Sequence, residues 1–148
     1  MIRRWALLST CFAVAFCGGG APAPAEWVSG AYQCQTCRMT VVDRGFASQI
    51  VTALDEPRFF DDMGCLSTFL TRTPAIPGAA VYVADRRTGT WVPAAEALFV
   101  RVDTLTAPMG SHIVAYASEA SRAGDPAAAA GTAVDRTAVI PAQWSGRP

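Results

Sequence analysis

Arg58-Phe59-Phe60-Asp61-Asp62-Met63-Gly64-Cys65-Leu66-Ser67-Thr68-Phe69-Leu70-Thr71 changes its period at the two aspartates. Arg58–Phe60 reads as a short strand. Asp61 and Asp62 offer the side-chain oxygen that satisfies orphan N–H groups at a helix start. Met63, Leu66 and Leu70 then recur at i, i+3 and i+7, with Phe69 beside them, which predicts a helix over Met63–Thr71. Upstream, Thr40-Val41-Val42 and Phe46–Val51 are β-branched or apolar runs separated by the turn Asp43-Arg44-Gly45. Downstream, Ala80–Ala84 is a continuous apolar strand, Asp85–Thr90 a hairpin loop and Trp91-Val92 its return. Pro93–Leu98 reads as a helical turn. Phe99–Asp103 alternates, with Val100 and Val102 on one face. Ile113–Ala117 is a further strand, and Ser118–Ala123 a short helix stopped by Gly124. Strands and single helices in this order predict an α+β domain over residues 31–124.

The two ends read differently. Residues 1–16 have the form of an export signal: Arg3 and Arg4, then the apolar stretch Trp5–Phe16. Val14-Ala15-Phe16-Cys17-Gly18 resembles a lipoprotein cleavage site, in which Cys17 would carry the lipid; Phe16 departs from the small residue expected there. Ordinary cleavage near Ala21–Ala25 is the alternative, and both routes lead out of the cytoplasm. Residues 17–30 are expected to be a flexible tether. From Asp125 onward Ala, Gly and Pro dominate, so residues 125–148 are expected to be a disordered tail, with packing of Val139–Trp144 onto the domain as the alternative.

Composition excludes several classes. The 148 residues hold 12 acidic residues and 12 basic ones, all arginine. Losing the leader would leave two more acids than bases. A chain this close to neutral has no electrostatic footprint for nucleic acid. No interior run reaches the ~20 apolar residues that span a bilayer. No Ser/His/Asp set, phosphate loop or paired acid/base constellation is present, so the chain reads as a non-enzyme.

Chemistry concentrates in sulfur. Of five cysteines, Cys11 and Cys17 belong to the leader region. Cys34, Cys37 and Cys65 remain, an odd number that simple disulfide stapling does not explain. In Cys34-Gln35-Thr36-Cys37-Arg38-Met39 two thiols and a thioether fall within one short segment, a soft donor set suited to Cu(I). A Cys34–Cys37 disulfide, or thiol–disulfide redox chemistry by that pair, is a rival. Redox motifs open a helix, whereas β-branched residues follow here. A structural zinc site built from Cys34, Cys37, Cys65 and His112 is a second rival, but it leaves Met39 and Met109 without a role. Met109 lies in the loop Pro108-Met109-Gly110, where a core filler is little needed. Met63 has helical spacing and belongs to the core. His112, the one histidine, lies three residues from Met109 and is a candidate nitrogen ligand.

Cys37-x-Met39, Phe60-Asp61-Asp62-Met63-Gly64-Cys65, Tyr82-Val83-Ala84-Asp85, Trp91-Val92-x-Ala94 and Pro108-Met109-Gly110, in this order, resemble the NosL family of nitrous oxide reductase accessory proteins. The similarity covers roughly Tyr32–Tyr116. It implies an exported, often lipid-anchored Cu(I) chaperone with two small ββα-type halves of antiparallel strands, similar to the non-catalytic architecture of organomercurial lyase. It implies delivery of copper to nitrous oxide reductase, together with an ABC-type membrane complex. The family's ligands fall on Cys37, Met39 and Met109, with Cys34, Cys65 and His112 as candidates for additional ones. Two positions depart from the family pattern: Arg38 stands where glycine is common, and His112 where a small residue is common.

Overall fold

The computed structural model describes residues 20–145; the expected export signal and lipid site at Cys17 lie outside the described residues. Seven strands form two antiparallel sheets. β1 (Ser48–Val51), β2 (Arg58–Phe60), β3 (Ala80–Ala84) and β4 (Trp91–Pro93) make the first, in the order β2-β1-β3-β4. β5 (Leu98–Arg101), β6 (Ile113–Tyr116) and β7 (Thr132–Val134) make the second, in the order β6-β5-β7. The α+β class and antiparallel pairing are therefore as read from the sequence. The division falls after β4, because Tyr82 pairs with Pro93 and Val83 with both Ser48 and Val92, which adds the β3–β4 hairpin to the first sheet. The run expected as a strand at Thr40–Val42 contributes a single bridge, Gln33 to Thr40.

Helix α1 spans Met63–Arg72 and is the hub. Its apolar stripe of Met63, Leu66 and Leu70 is buried between strands of both sheets and the C-terminal segment. Ile50, Phe60, Val81, Val83, Phe99 and Ile113 close the main core around it. Alternation along β5 sends Phe99 into this core. It sends Val100 to a second, smaller one with Phe46, Val102, Val114 and Tyr116.

Both flanking segments are corrected by the structure. The expected disordered tail is folded through residue 145. Pro126–Ala130 forms a 3-10 turn capped by Asp125, β7 pairs with β5, and Arg136–Val139 forms a short helix capped by Asp135. Val139 and Ile140 are buried, and so is Trp144, whose indole N–H donates to the Leu70 and Thr73 carbonyls at the end of α1. A low-complexity composition conceals such a segment because its order rests on a few apolar anchors, two Asp caps and backbone pairing that is indifferent to side chains. The expected tether is likewise docked from Pro22 onward: Tyr82 Oη donates to the Pro22 carbonyl at 2.9 Å and Ala25 N to Gln49 Oε1 at 2.8 Å. Among the described residues no helix is long and apolar enough to cross a membrane.

Candidate metal centre

The segment Cys34–Met39 is a closed loop laid on the edge of the first sheet. Cys34 N donates to the Met39 carbonyl at 2.8 Å and Arg38 N to the Cys34 carbonyl at 3.0 Å, folding the loop back on itself. Gln35 N donates to the Phe59 carbonyl at 2.8 Å, which fixes the loop beside β2. Thr36 Oγ1 donates to the Cys65 carbonyl at 2.9 Å and ties it to the first turn of α1. Closing the loop requires Arg38 to take φ +68°, the left-handed region where glycine is at ease. The glycine that the family resemblance leads one to expect at this position would meet that backbone demand without strain.

The result is a convergence of four ligand atoms. The sulfurs of Cys34, Cys37 and Cys65 and a carboxylate oxygen of Asp61 all lie within 4.8 Å of one another. All three thiols are free, so Cys34 and Cys37 are not bridged here. Cys34 and Cys65 are buried, Asp61 is 2% exposed, and Cys37 is the partly accessible member. The Cys37 thiol donates to Asp61, with Sγ 3.2 and 3.4 Å from the two oxygens. No arginine pairs with this carboxylate among the described residues. A buried carboxylate whose one hydrogen-bond partner is a thiol lacks compensating positive charge, which favours a cation beside it.

The same surroundings hold the Cys37 and Cys65 thiols protonated in the metal-free protein. Burial pushes the Cys37 thiol up to about 11 from 9.0; the Cys34 and Asp61 side chains add to this, against a lowering by the Met39 backbone N–H. Cys65 sits in the first turn of α1, where the helix dipole favours thiolate. Burial outweighs it, and with the charges of Cys34 and Asp61 raises that thiol well above its ordinary value.

Met109 reaches the centre from the second sheet. Cys37, Cys65, Thr36, Gly64, Met109 and Ser111 line one cleft of about 410 Å³, so the loop 107–111 forms the opposite lip from the cysteines. Its thioether is half-exposed. Met39, although adjacent to Cys37 in sequence, is also half-exposed and does not line that cleft. His112 is not part of the cluster either: its Nδ1 lies 2.8 Å from the Leu105 carbonyl and its backbone takes φ +56°. The structure thus brings Cys34, Cys37 and Cys65 together, places Met109 in one cleft with Cys37 and Cys65, and leaves Met39 and His112 outside both groups.

Asp61 is the member that sequence reasoning missed. Two consecutive aspartates before a helix are explained by capping, and Asp62 does cap, its Oδ1 accepting from Gly64 N at 2.6 Å. One cap needs one carboxylate. The surplus acid next to it was the available signal.

No curated protein sequence matches the chain. Among solved structures, the copper chaperone NosL from Shewanella denitrificans is similar in fold, with a TM-score of 0.56 and 20% identity, covering 67% of this chain and 82% of that one. The NosL family profile matches residues 26–144, a span that takes in the loop at Cys34–Met39, the cleft and the C-terminal segment through Trp144. The chain belongs to the NosL family.

Proposed function

We propose that this protein binds Cu(I) at the cysteine cleft and hands it to a copper-receiving protein, without catalysing a reaction of its own. The observation that carries the reading is the set of three free thiols within 4.8 Å of one another and of buried Asp61, under a lip that presents the Met109 thioether. Soft sulfur donors select Cu(I) over hard ions. Being d¹⁰, Cu(I) accepts two, three or four ligands, so an incoming donor can attach before a resident one leaves. Loading replaces thiol protons with the metal. The Asp61 carboxylate, which accepts a hydrogen bond from the Cys37 thiol in the metal-free state, then faces a positive ion instead of a neutral thiol. The accessible members, Cys37 and Met109 with Met39 nearby, give a partner's ligands a path to the ion, while Cys34 and Cys65 stay buried.

Membership of the NosL family supports nitrous oxide reductase as the recipient, with an ABC-type membrane complex assisting. Export across the membrane, with a lipid on Cys17 as anchor, completes the reading from the leader sequence. A thiol–disulfide enzyme is disfavoured physically: a nucleophilic cysteine needs thiolate at neutral pH, and Cys37 is pushed up to about 11. A structural zinc site is the second reading, and one observation favours it. Three thiols and a carboxylate within 4.8 Å form a four-donor set, with Asp61 taking the place expected for His112.

Titration of the full chain with Cu(I) against a Cu(I)-selective chromophoric chelator separates these readings. The chaperone reading expects one tightly bound equivalent that is lost in Cys37→Ser and weakened in Met109→Leu. Zinc retained through purification, with unfolding on its removal, supports the structural site instead. Unchanged Cu(I) affinity in Cys37→Ser removes the proposed centre.

A further inference from the structure

We infer that Asp62 is a positioning residue for the copper site, acting through Met109; the inference rests on the Cu(I) reading above. Asp62 is completely buried at the start of α1. Its Oδ1 caps the helix at Gly64 N, which completes the ordinary task of an N-cap residue. Its Oδ2 does something else. It accepts from Met109 N at 3.2 Å and from Ser111 N at 3.4 Å, spanning 47 and 49 residues of sequence. The helix that carries Cys65 is thereby clamped to the loop that carries Met109.

The clamp matters because little else orients this loop on that side. The Met109 side chain is 49% exposed, so packing does not hold it. The loop is closed by Gly110 N donating to the Ala107 carbonyl at 3.2 Å, Arg101 donates to the Ser111 carbonyl at 2.9 Å and Ile113 N to Ser111 Oγ at 3.2 Å; none of these bonds joins the loop to the helix that carries Cys65. Gly64 shows how close the approach is. A Cβ there would lie 3.0 Å from Asp62 Oδ1 and 3.1 Å from the Ser111 side chain, tighter than ordinary contact. One carboxylate thus sets both the helix start and the position from which the thioether meets the cleft.

Asp62→Asn separates the two tasks. Asparagine caps helices as well as aspartate does. Its amide NH₂ would, however, face the two N–H donors of residues 109 and 111 in place of an acceptor. Partners behind a metal ligand typically contribute 10–100-fold in affinity, so Asp62→Asn is expected to weaken Cu(I) binding by about that factor. The readout that a merely structural role would not move is the methionine methyl spectrum of the full chain labelled with ¹³C at Cε, recorded with one equivalent of Cu(I). In the unsubstituted protein the Met109 methyl shifts on loading. In Asp62→Asn, at saturating Cu(I), it stays near its metal-free position, and Met109→Leu added to that variant brings no further loss of affinity. Gly64→Ala, which displaces the same loop from the helix side, is expected to give the same signature and serves if Asp62→Asn does not fold. A Met109 methyl that shifts fully in both variants, or additive losses from Asp62→Asn and Met109→Leu, overturns the positioning role alone. A Met109 methyl indifferent to Cu(I) in the unsubstituted chain overturns the thioether reading and this inference with it.

Discussion

On the Cu(I) reading proposed above, the number of thiols that bind the metal can be counted from pH. The Cys37 thiol is pushed up to about 11 from 9.0, by burial first and by the Cys34 and Asp61 side chains after it; Cys65 is also raised, by burial first and by the charges of Cys34 and Asp61 after it. Both are protonated at neutral pH, so every cysteine that binds as thiolate must release its proton to the solvent. A raised pKa means the proton competes more strongly with the metal. Affinity is therefore lowest at acid pH and climbs until the pH reaches the raised value. For each displaced proton the apparent association constant rises about tenfold per pH unit. A centre of Cys37 with thioethers predicts a slope of about one between about pH 6 and 9, and one that also recruits the Cys65 thiol predicts about two. A cysteine left at the ordinary 9.0 would begin to level off about two units earlier than Cys37 does. The assay is competition against a chelator whose own protonation is corrected for, at a series of pH values. Asp61→Asn is the internal control. It replaces the carboxylate that accepts from the Cys37 thiol with a neutral amide, a weaker acceptor, so the levelling-off moves to lower pH. Affinity flat from about pH 6 to 9 would mean that the thiolate already exists in the metal-free protein, and the argument from burial and Asp61 would fail.

Two further predictions concern the framework. Trp144→Ala removes a buried indole and its hydrogen bonds to the end of α1. It is expected to lower stability by about 3–5 kcal/mol in chemical denaturation, and a loss under about 0.5 kcal/mol, the level of an ordinary surface substitution, would mean that the C-terminal segment is not part of the fold. Arg38→Gly relieves a side chain held at φ +68° and is expected to raise stability by up to about 1 kcal/mol, less any gain in freedom of the unfolded chain. Thermal unfolding measures it, and destabilisation would show that the arginine side chain has a structural partner.

The parts of the fold that were legible are those whose cause is local. Helix α1 begins where Asp62 caps it and follows the spacing of Met63, Leu66 and Leu70. The alternation of Phe99 and Val100 correctly separates two faces of β5, although it cannot say that two different cores lie behind them. Which sheet β3 joins is invisible locally, since a buried apolar strand pairs equally well on either side until its partners are known. The candidate site divides in the same way. Soft donors are visible as residue types, and the loop position of Met109 marks it as something other than filler. The proximity of Asp61 to Cys37 is a contact across 24 residues, and nothing in the residues between encodes it. His112 looked attractive because it is three residues from Met109, but the strand β6 begins just beyond it and its ring is taken by the Leu105 carbonyl.

The two adjacent aspartates account for the geometry of the whole centre. At the junction of β2 and α1 the backbone is still extended, with φ −154° and ψ 144° at Asp62. In extended chain successive side chains point to opposite faces. Asp61 therefore turns to the thiols that lie along the edge of the first sheet, while Asp62 turns to the loop of the second sheet. Had the helix begun one residue earlier, the two carboxylates would diverge by a helical step and could not serve both sides. On the Cu(I) reading this geometry also orders release. Cys34 is wholly buried and Cys37 partly accessible, whereas the thioether on the opposite lip is half-exposed and belongs to a different sheet. An incoming ligand meets the metal from the Met109 side. The weak, exposed donor is displaced first, and the buried thiols let go last.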